Sequence, residues 1–196
     1  MDEPTCAVLA LVGEKAAELA LAQAEPGTEI CRETGVPCSP LLSIKQNAAQ
    51  LLILCDDEQA AWFRELIDAA GLNKQGWSKP FRKDQPGQLR LWGILTALLT
   101  LPDTVLALEP MAGMTSHDRE AFGRLLALSS EKGIEFRYTA KQLQDVMRLD
   151  LPQRVRFAAG DSRDTDTAAL AAELEASGTD MTWDELQKRQ EAEKNG

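Results

Sequence analysis

The chain has 196 residues, of which 44% are hydrophobic and 27% are charged, the composition of an ordinary globular domain with room for a real core. Its formal net charge is −10, and the last 37 residues alone hold ten acidic and four basic side chains. A chain without a basic stripe repels nucleic-acid phosphates, so we expect neither DNA nor RNA as a partner.

The cysteines and the single histidine do not form the pattern of a metal site. No two cysteines are spaced as CxxC, and His117 is expected to be a surface residue, so we expect no bound metal. Reduced thiols in a cytoplasmic protein are the simplest interpretation of the four cysteines, which are Cys6, Cys31, Cys38 and Cys55.

Nothing in the sequence has the pattern of a membrane segment. The first residues, MDEPT, lack the basic region that begins a signal peptide. The most apolar stretch, residues 91–108, is interrupted by Thr100, Pro102 and Asp103. We therefore expect a cytoplasmic protein without direct membrane insertion, which could be peripheral at the inner membrane through a partner.

The first third of the chain predicts alternating strands and helices. A continuous apolar run over residues 6–12 is typical of a strand buried on both faces, and a helix-like run follows. A short strand is expected around Ile30, and a helix from Ser43 to about Leu54. The acidic run at residues 56–58 favours a helix start rather than a metal site, because acidic groups stabilise the positive end of a helix.

The next two helices have clear apolar faces. In the helix over residues 60–72, one face holds Trp62, Phe63, Leu66 and Ile67, and Gly71 is a plausible residue just past its end. Gly87 and Gln88 begin a strongly apolar helix from Leu89 to Leu101. A break at Pro102 and Asp103 separates this helix from a strand-like run from Val105 to Leu108.

The remaining residues before the tail predict one helix between two strands. Ser116 is expected to cap a helix to about Lys132, with Gly133 after its end. Ile134, Phe136 and Tyr138 alternate with polar residues, which is typical of a half-exposed strand. A last strand is expected within residues 153–158.

The composition changes at Gly160. Residues 160–167 form a polar linker, and helices are expected over residues 165–176 and 183–194, the second with a capping box from Thr182 to Glu185. Trp183, Leu186 and Leu174 are the large apolar side chains that we expect to serve as anchors. The acidic tail is expected to be a mobile or partner-docked appendage.

The order of these features resembles that of ABC-type ATPases. The stretch at residues 84–115 has a Gly-Gln pair opening a helix, a strand ending in Glu109-Pro110 and then a glycine-containing turn. The family has its signature loop, its Walker B strand and its D-loop in this order. Residues 40–52 and 133–149 resemble the segment after the Q-loop and the region of the switch histidine.

This resemblance implies an α/β fold with the parallel-sheet core of P-loop NTPases. Residues 1–159 would form a degenerate ABC-ATPase-like domain, with a helical subdomain at about 43–100, and residues 160–196 the acidic linker and helical tail. The family's N-terminal antiparallel β-subdomain, which carries an aromatic side chain that stacks on adenine, would be missing.

The resemblance also assigns nucleotide-site positions to individual residues. The P-loop position holds Gly13 and Lys15 without a second glycine or a Lys-Ser or Lys-Thr pair, and the signature position retains Gly87 and Gln88. Glu109 matches the catalytic glutamate and would be a residual catalytic residue. The positions of the Q-loop glutamine, the magnesium-binding aspartate, the D-loop aspartate and the switch histidine hold Cys38, Leu108, Thr115 and Ala140, respectively.

Three functions are open at this stage. The first is a catalytically inactive ABC-transporter subunit that acts as a scaffold or regulator of an active ABC ATPase or permease, with self-association as another form of pairing. The second is a divergent ATPase that uses ATP and magnesium with Glu109 and Lys15. The third is an unrelated acidic interaction module, which a helix opening at Gly87 against the strand ending at Glu109 would argue against.

Overall fold

The computed structural model describes residues 8–31, 38–74, 77–82, 84–149, 151–158, 164–176 and 182–193. Cys6 and residues 160–163 of the expected linker at 160–167 lie outside these ranges.

A six-stranded sheet in the order β2-β3-β4-β1-β5-β6 is the centre of the molecule. Strands β1 to β5 are parallel to one another, and β6 pairs with β5 in the antiparallel direction. The strands are β1 (Val8–Val12), β2 (Glu29–Cys31), β3 (Thr104–Ala107), β4 (Glu135–Ala140), β5 (Arg154–Phe157) and β6 (Thr165–Asp166).

Eight helices lie between or after these strands in the described ranges. They are α1 (Ala16–Ala22), α2 (Ile44–Leu52), α3 (Asp57–Ala70), α4 (Pro86–Leu98), α5 (Ser116–Glu131), α6 (Leu143–Met147), α7 (Thr167–Ala176) and α8 (Trp183–Glu193). The predicted mixed α/β class and the parallel core are confirmed.

The two faces of the sheet are covered unequally. One face holds the main core, to which α3, α4 and α5 contribute large buried side chains, including Trp62, Trp92 and Phe122. The other face is covered by α1, whose Ala16 and Ala20 form a small cluster with apolar residues of β1 and β3. Every residue of β1 is buried because the strand lies between β4 and β5 and has apolar contacts on both faces.

The local signals at the helix ends act largely as predicted. Ser43 caps α2, Asp56 caps α3, each in a reciprocal capping box, and Gly71 ends α3 with φ +66°. The prediction that Ser116 caps the next helix was wrong by one residue. Thr115 is the cap, because its hydroxyl accepts a hydrogen bond from the Asp118 N–H at 3.2 Å while the Asp118 carboxylate accepts from Thr115 N at 3.0 Å.

The C-terminal residues differ from the expectation of a mobile or partner-docked appendage. Residues 165 and 166 are a strand paired with β5, rather than the start of a helix, so β5 is not the last strand. Leu170 and Leu186 are fully buried in the main core, and Leu174 and Trp183 pack against it half-buried. Leu170 was missed as an anchor because it stands among alanines. The capping box from Thr182 to Glu185 is present.

Candidate functional site

The carboxyl ends of the parallel strands bring several of the predicted site residues to one edge of the sheet. Gly13 follows β1, Lys141 follows β4 and Ala158 follows β5, and all three line one cleft. Glu109 comes two residues after the end of β3. In open parallel sheets, ligands bind outside this edge, so it is the natural place to look for a site.

A connection of three residues, Gly13 to Lys15, joins β1 to α1. Gly13 has φ +130°, a conformation that side-chain-bearing residues rarely adopt. Its N–H donates to the Ala140 carbonyl at 3.0 Å, and its carbonyl accepts from the Ala16 N–H at 3.1 Å. Lys15 precedes the first turn of α1 and is exposed. The backbone of Gly13 is therefore engaged with the protein itself.

Glu109 is held in place by contacts on several sides. Its backbone is left-handed, with φ +44°, which is unusual for a residue with a side chain. Its N–H donates to the Thr139 hydroxyl at 2.8 Å, and its carbonyl accepts from Arg90 Nη1 at 2.9 Å. Its carboxylate lies 3.6 Å from the Lys141 ammonium. These contacts fix the turn after β3 and give the carboxylate a cationic partner within the chain.

Gly87 and Gln88 lie in the first turn of α4, as predicted, but they do not line the cleft beside Gly13. The α4 start packs on the first turn of α5, where a Cβ added to Gly87 would lie 2.3 Å from Asp118 Oδ2. Pro86 lies close to Gly113, since a Cβ added to Gly113 would lie 3.2 Å from Pro86 Cγ. A glycine is needed at position 87 because the capping carboxylate of α5 occupies the space of a side chain.

The positions that the resemblance aligned with other family motifs have local structural contacts. Leu108 is half-buried against the α1-side cluster, and Thr115 caps α5. Ala140 is 5% exposed, and its carbonyl accepts the Gly13 N–H. Cys38 packs half-buried against the main core, and burial raises the pKa of its thiol. His117 is exposed, as expected.

Helix α8 lies over the cleft, and sequence reasoning missed this entirely. The cleft has a volume of about 560 Å³, and α8 contributes Asp184, Gln187, Lys188 and Glu191 to its lining. Gln187 holds the helix in place: its Oε1 accepts from the Leu143 N–H at 2.8 Å, and its Nε2 donates to the Lys141 carbonyl at 3.2 Å. The spacing of residues 184, 187, 188 and 191 puts them on one helix face, a signal that could have been read as a polar docking surface.

The fold resembles those of known ATP-binding cassettes. The ADP conformation of an ATP-binding cassette of an ABC transporter superposes with a TM-score of 0.52 at 16% identity, covering 76% of this chain and 75% of that one. A dimeric bacterial ABC transporter cassette gives a TM-score of 0.54 at 14% identity, over 76% and 80% of the two chains. A nucleotide-free cassette gives a TM-score of 0.55 at 16% identity, over 80% and 81%.

The chain has an ABC-cassette-like fold. The expected contact between the α4 start and the segment after β3 is present, which argues against a fortuitous resemblance. No family model matches the sequence, and no curated protein does. Within the described ranges, no helix is long and apolar enough to cross a membrane, and no group of His, Cys, Asp or Glu side chains is arranged to hold a metal ion.

Proposed function

We propose that this chain is a catalytically inactive ABC-ATPase-like subunit that acts as a scaffold or regulatory partner of an active ABC ATPase or of a permease. The observation that carries the proposal is the connection between β1 and α1, which has only the three residues Gly13, Glu14 and Lys15. A P-loop needs the longer run G-x-x-x-x-G-K-[ST], whose backbone N–H groups surround the phosphates.

The backbone contacts of this connection support the same conclusion. The Gly13 N–H donates to the Ala140 carbonyl, and α1 begins at Ala16, so only Glu14 and Lys15 lie between this bonded glycine and the helix, fewer residues than a phosphate-binding loop needs. Within this connection, Lys15 supplies one exposed ammonium group. A lone ammonium in water binds phosphate weakly compared with a preorganised loop.

The residues after β3 support a loss of catalysis rather than of binding alone. Leu108 stands where the resemblance places the magnesium-binding aspartate, and an aliphatic side chain cannot coordinate a metal. The Glu109 carboxylate has the Lys141 ammonium of the same chain as a partner at 3.6 Å. We therefore expect neither magnesium nor ATP to be a working cofactor.

Exposed apolar side chains at the two ends of α2 support the role in partner binding. Leu41, Ile53 and Leu54 are 88%, 81% and 82% exposed, and they flank the two ends of α2, about 13 Å apart along its axis. The buried Asn47 side chain fixes the preceding loop by accepting from Ser39 N at 2.7 Å and donating to carbonyls of the same loop. Exposed large apolar side chains on fixed backbone mark interaction sites, and the resemblance places the permease-contacting segment here.

Titration of the purified chain with Mg-ATP by calorimetry, up to millimolar nucleotide, tests the loss of nucleotide binding. We expect no heat of binding and no phosphate release. Micromolar affinity would overturn the proposal in favour of a divergent ATPase. The Glu109→Gln variant would then show whether that carboxylate takes part in hydrolysis.

Affinity purification from the source cells, with identification by mass spectrometry, tests the partner. We expect an ABC ATPase or permease to co-purify with the wild-type chain and to be lost when Leu41, Ile53 and Leu54 are all changed to serine. The matched control is Leu21→Ser, which changes a 37% exposed leucine on α1. Retention of the partner by the triple variant, or a partner of another class, would contradict the proposal.

A further inference from the structure

Helix α8 is seated across the carboxyl edge of β1, β4 and β5 by specific contacts. Leu186 is fully buried in the main core, and Gln187 bonds to the backbone at both Lys141 and Leu143. Gln190 Nε2 donates to the Glu173 carboxylate at 3.0 and 3.1 Å, which ties α8 to α7. The helix is therefore docked in one register on this edge.

Helix α8 brings two carboxylates and one ammonium group to the cleft. Lys15, Lys141 and Lys188 line the cleft together with the carboxylates of Glu14, Asp184 and Glu191, so three positive charges meet three negative ones. Glu109 adds a further carboxylate beside Lys141. Two of the three cleft carboxylates, Asp184 and Glu191, come from α8.

Glu191 has the most direct position. A Cβ built on Gly13 would lie 3.4 Å from Glu191 Oε1, so this carboxylate lies against the backbone that follows β1. Its orientation is fixed by Gln187 Nε2, which donates to the same Oε1 at 2.9 Å. An anion placed against Gly13 would be repelled by this carboxylate.

We propose that α8 is an intramolecular competitor, whose Asp184 and Glu191 carboxylates exclude phosphate-bearing ligands from the edge formed by Gly13, Lys15 and Lys141. This role of α8 rests on the proposed function. It explains how the carboxyl edge of the sheet in a catalytically inactive subunit remains closed to ligands. While α8 is docked, the three ammonium groups of the cleft face three lining carboxylates, and Glu109 lies beside Lys141. Removal of the two α8 carboxylates leaves an excess of positive charge there, which favours anions.

Inorganic pyrophosphate is the probe, and the first test keeps α8 docked. The variant Asp184→Asn with Glu191→Gln replaces both carboxylates by amides of the same shape, so the Gln187 contact can be kept. We expect its affinity for pyrophosphate to exceed that of the wild-type chain at least tenfold and to fall with added salt. The matched control, Asp166→Asn with Glu175→Gln, removes two exposed carboxylates outside the cleft, and we expect its affinity to stay within twofold of wild type.

A third variant adds Lys15→Ala to the pair of amide substitutions and is expected to lose the gain. Equal affinity of the amide variant and the control would overturn the proposal. So would a wild-type chain that already binds pyrophosphate as tightly, or a gain that survives Lys15→Ala.

Release of α8 gives an independent test. Leu186→Asp places a charge in the buried anchor position and should undock the helix, which faster hydrogen exchange of residues 182–193 would report. Ala192→Asp adds the same charge at an exposed position of α8 and should leave exchange unchanged. Pyrophosphate affinity should rise only in Leu186→Asp. Faster exchange without a rise in affinity would overturn the role of α8.

The two failures are distinguishable. Hydrolysis of Mg-ATP by the wild-type chain overturns the proposed function, whereas unchanged pyrophosphate affinity in both the amide variant and the released variant overturns the role of α8.

Discussion

The helices α3 and α4 and the helix α8 are attached to the same domain by different kinds of contact. The first two contribute the fully buried aromatic side chains of Trp62, Phe63 and Trp92. The Trp92 ring meets Phe63 at a centroid distance of 6.0 Å and the half-buried Phe81, from the segment before α4, at 5.4 Å, and Trp62 donates to the Leu98 carbonyl at 2.8 Å. Helix α8 has one fully buried leucine and a set of side-chain hydrogen bonds through Gln187.

This difference indicates what each region can do. A buried leucine contributes roughly 1.5–3 kcal/mol, and each neutral hydrogen bond about 1 kcal/mol net, so α8 can open without unfolding the domain. The aromatic contacts between α3 and α4 stabilise the domain itself. We therefore expect local opening at α8 and cooperative, global unfolding at α3 and α4.

The largest effect is expected from Trp92→Ala, which should disrupt the aromatic packing between α3 and α4. Removal of this fully buried side chain should lower the free energy of unfolding by about 3–5 kcal/mol, because it leaves a large cavity. Urea unfolding measures the loss. Trp183→Ala, at a half-buried position of α8, is the control and should change global stability by clearly less. Equal losses would contradict the distinction between the regions.

Leu186→Ala should sharpen the same comparison at α8. We expect a loss of about 2–3 kcal/mol that is confined to the local opening of this helix. Native-state hydrogen exchange should therefore show faster exchange in residues 182–193 and unchanged exchange in α3. Parallel acceleration of both helices would mean that α8 unfolds only with the whole domain.

Gly87→Ala tests a close approach rather than apolar volume. The new Cβ would lie 2.3 Å from Asp118 Oδ2, so either the Asp118 carboxylate must leave its capping position or α4 and α5 must move apart, with a loss of about 1–3 kcal/mol. Gly123→Ala is the matched control inside α5, where the nearest atom is 3.6 Å away, and it should stabilise by roughly 0.5–1 kcal/mol. Thermal unfolding of both variants, and of Gly87→Ala with Asp118→Ala, separates the clash from helix propensity. A Gly87→Ala variant as stable as wild type would show that α5 yields without strain.

The smallest losses of stability are expected from removing helix caps. One cap from each region allows a direct comparison. Asp56→Ala removes the cap of α3 and Thr182→Ala that of α8, each at a loss of about 1 kcal/mol. We expect Asp56→Ala to lower the midpoint of global unfolding and Thr182→Ala to raise hydrogen exchange in α8 alone. A global effect of Thr182→Ala would place α8 in the same cooperative unit as α3.

Local chemistry explains which parts of the fold could be predicted from the sequence. The apolar run of β1, the apolar face of α3 and the end of α3 at Gly71 depend on residues close together in the chain, and each is as predicted. The Thr115 cap was missed because Ser116 is an equally good cap by residue type. Only the Asp118 contact distinguishes the two.

The missed parts depend on contacts between distant residues. Nothing local to Thr165 and Asp166 indicates a strand, since their conformation comes from pairing with β5. The acidic composition of the tail pointed to a detached segment, yet Leu170 and Leu186 bring it onto the core. At the candidate site, Gly13 and Lys15 were identified from the sequence. Lys141, Gln187 and Glu191 were not, because they meet there only in the folded chain.

The position of β1 in the sheet has a consequence for synthesis on the ribosome. β1 is made before the other described strands, but its neighbours are β4 and β5, with Val8 beside Phe136 and Leu9 beside Arg154. Its apolar residues must wait for most of the chain to emerge before they can pair, and such long-range pairing is slow. We therefore expect nascent chains that end before β4 to need a chaperone to shield this first strand.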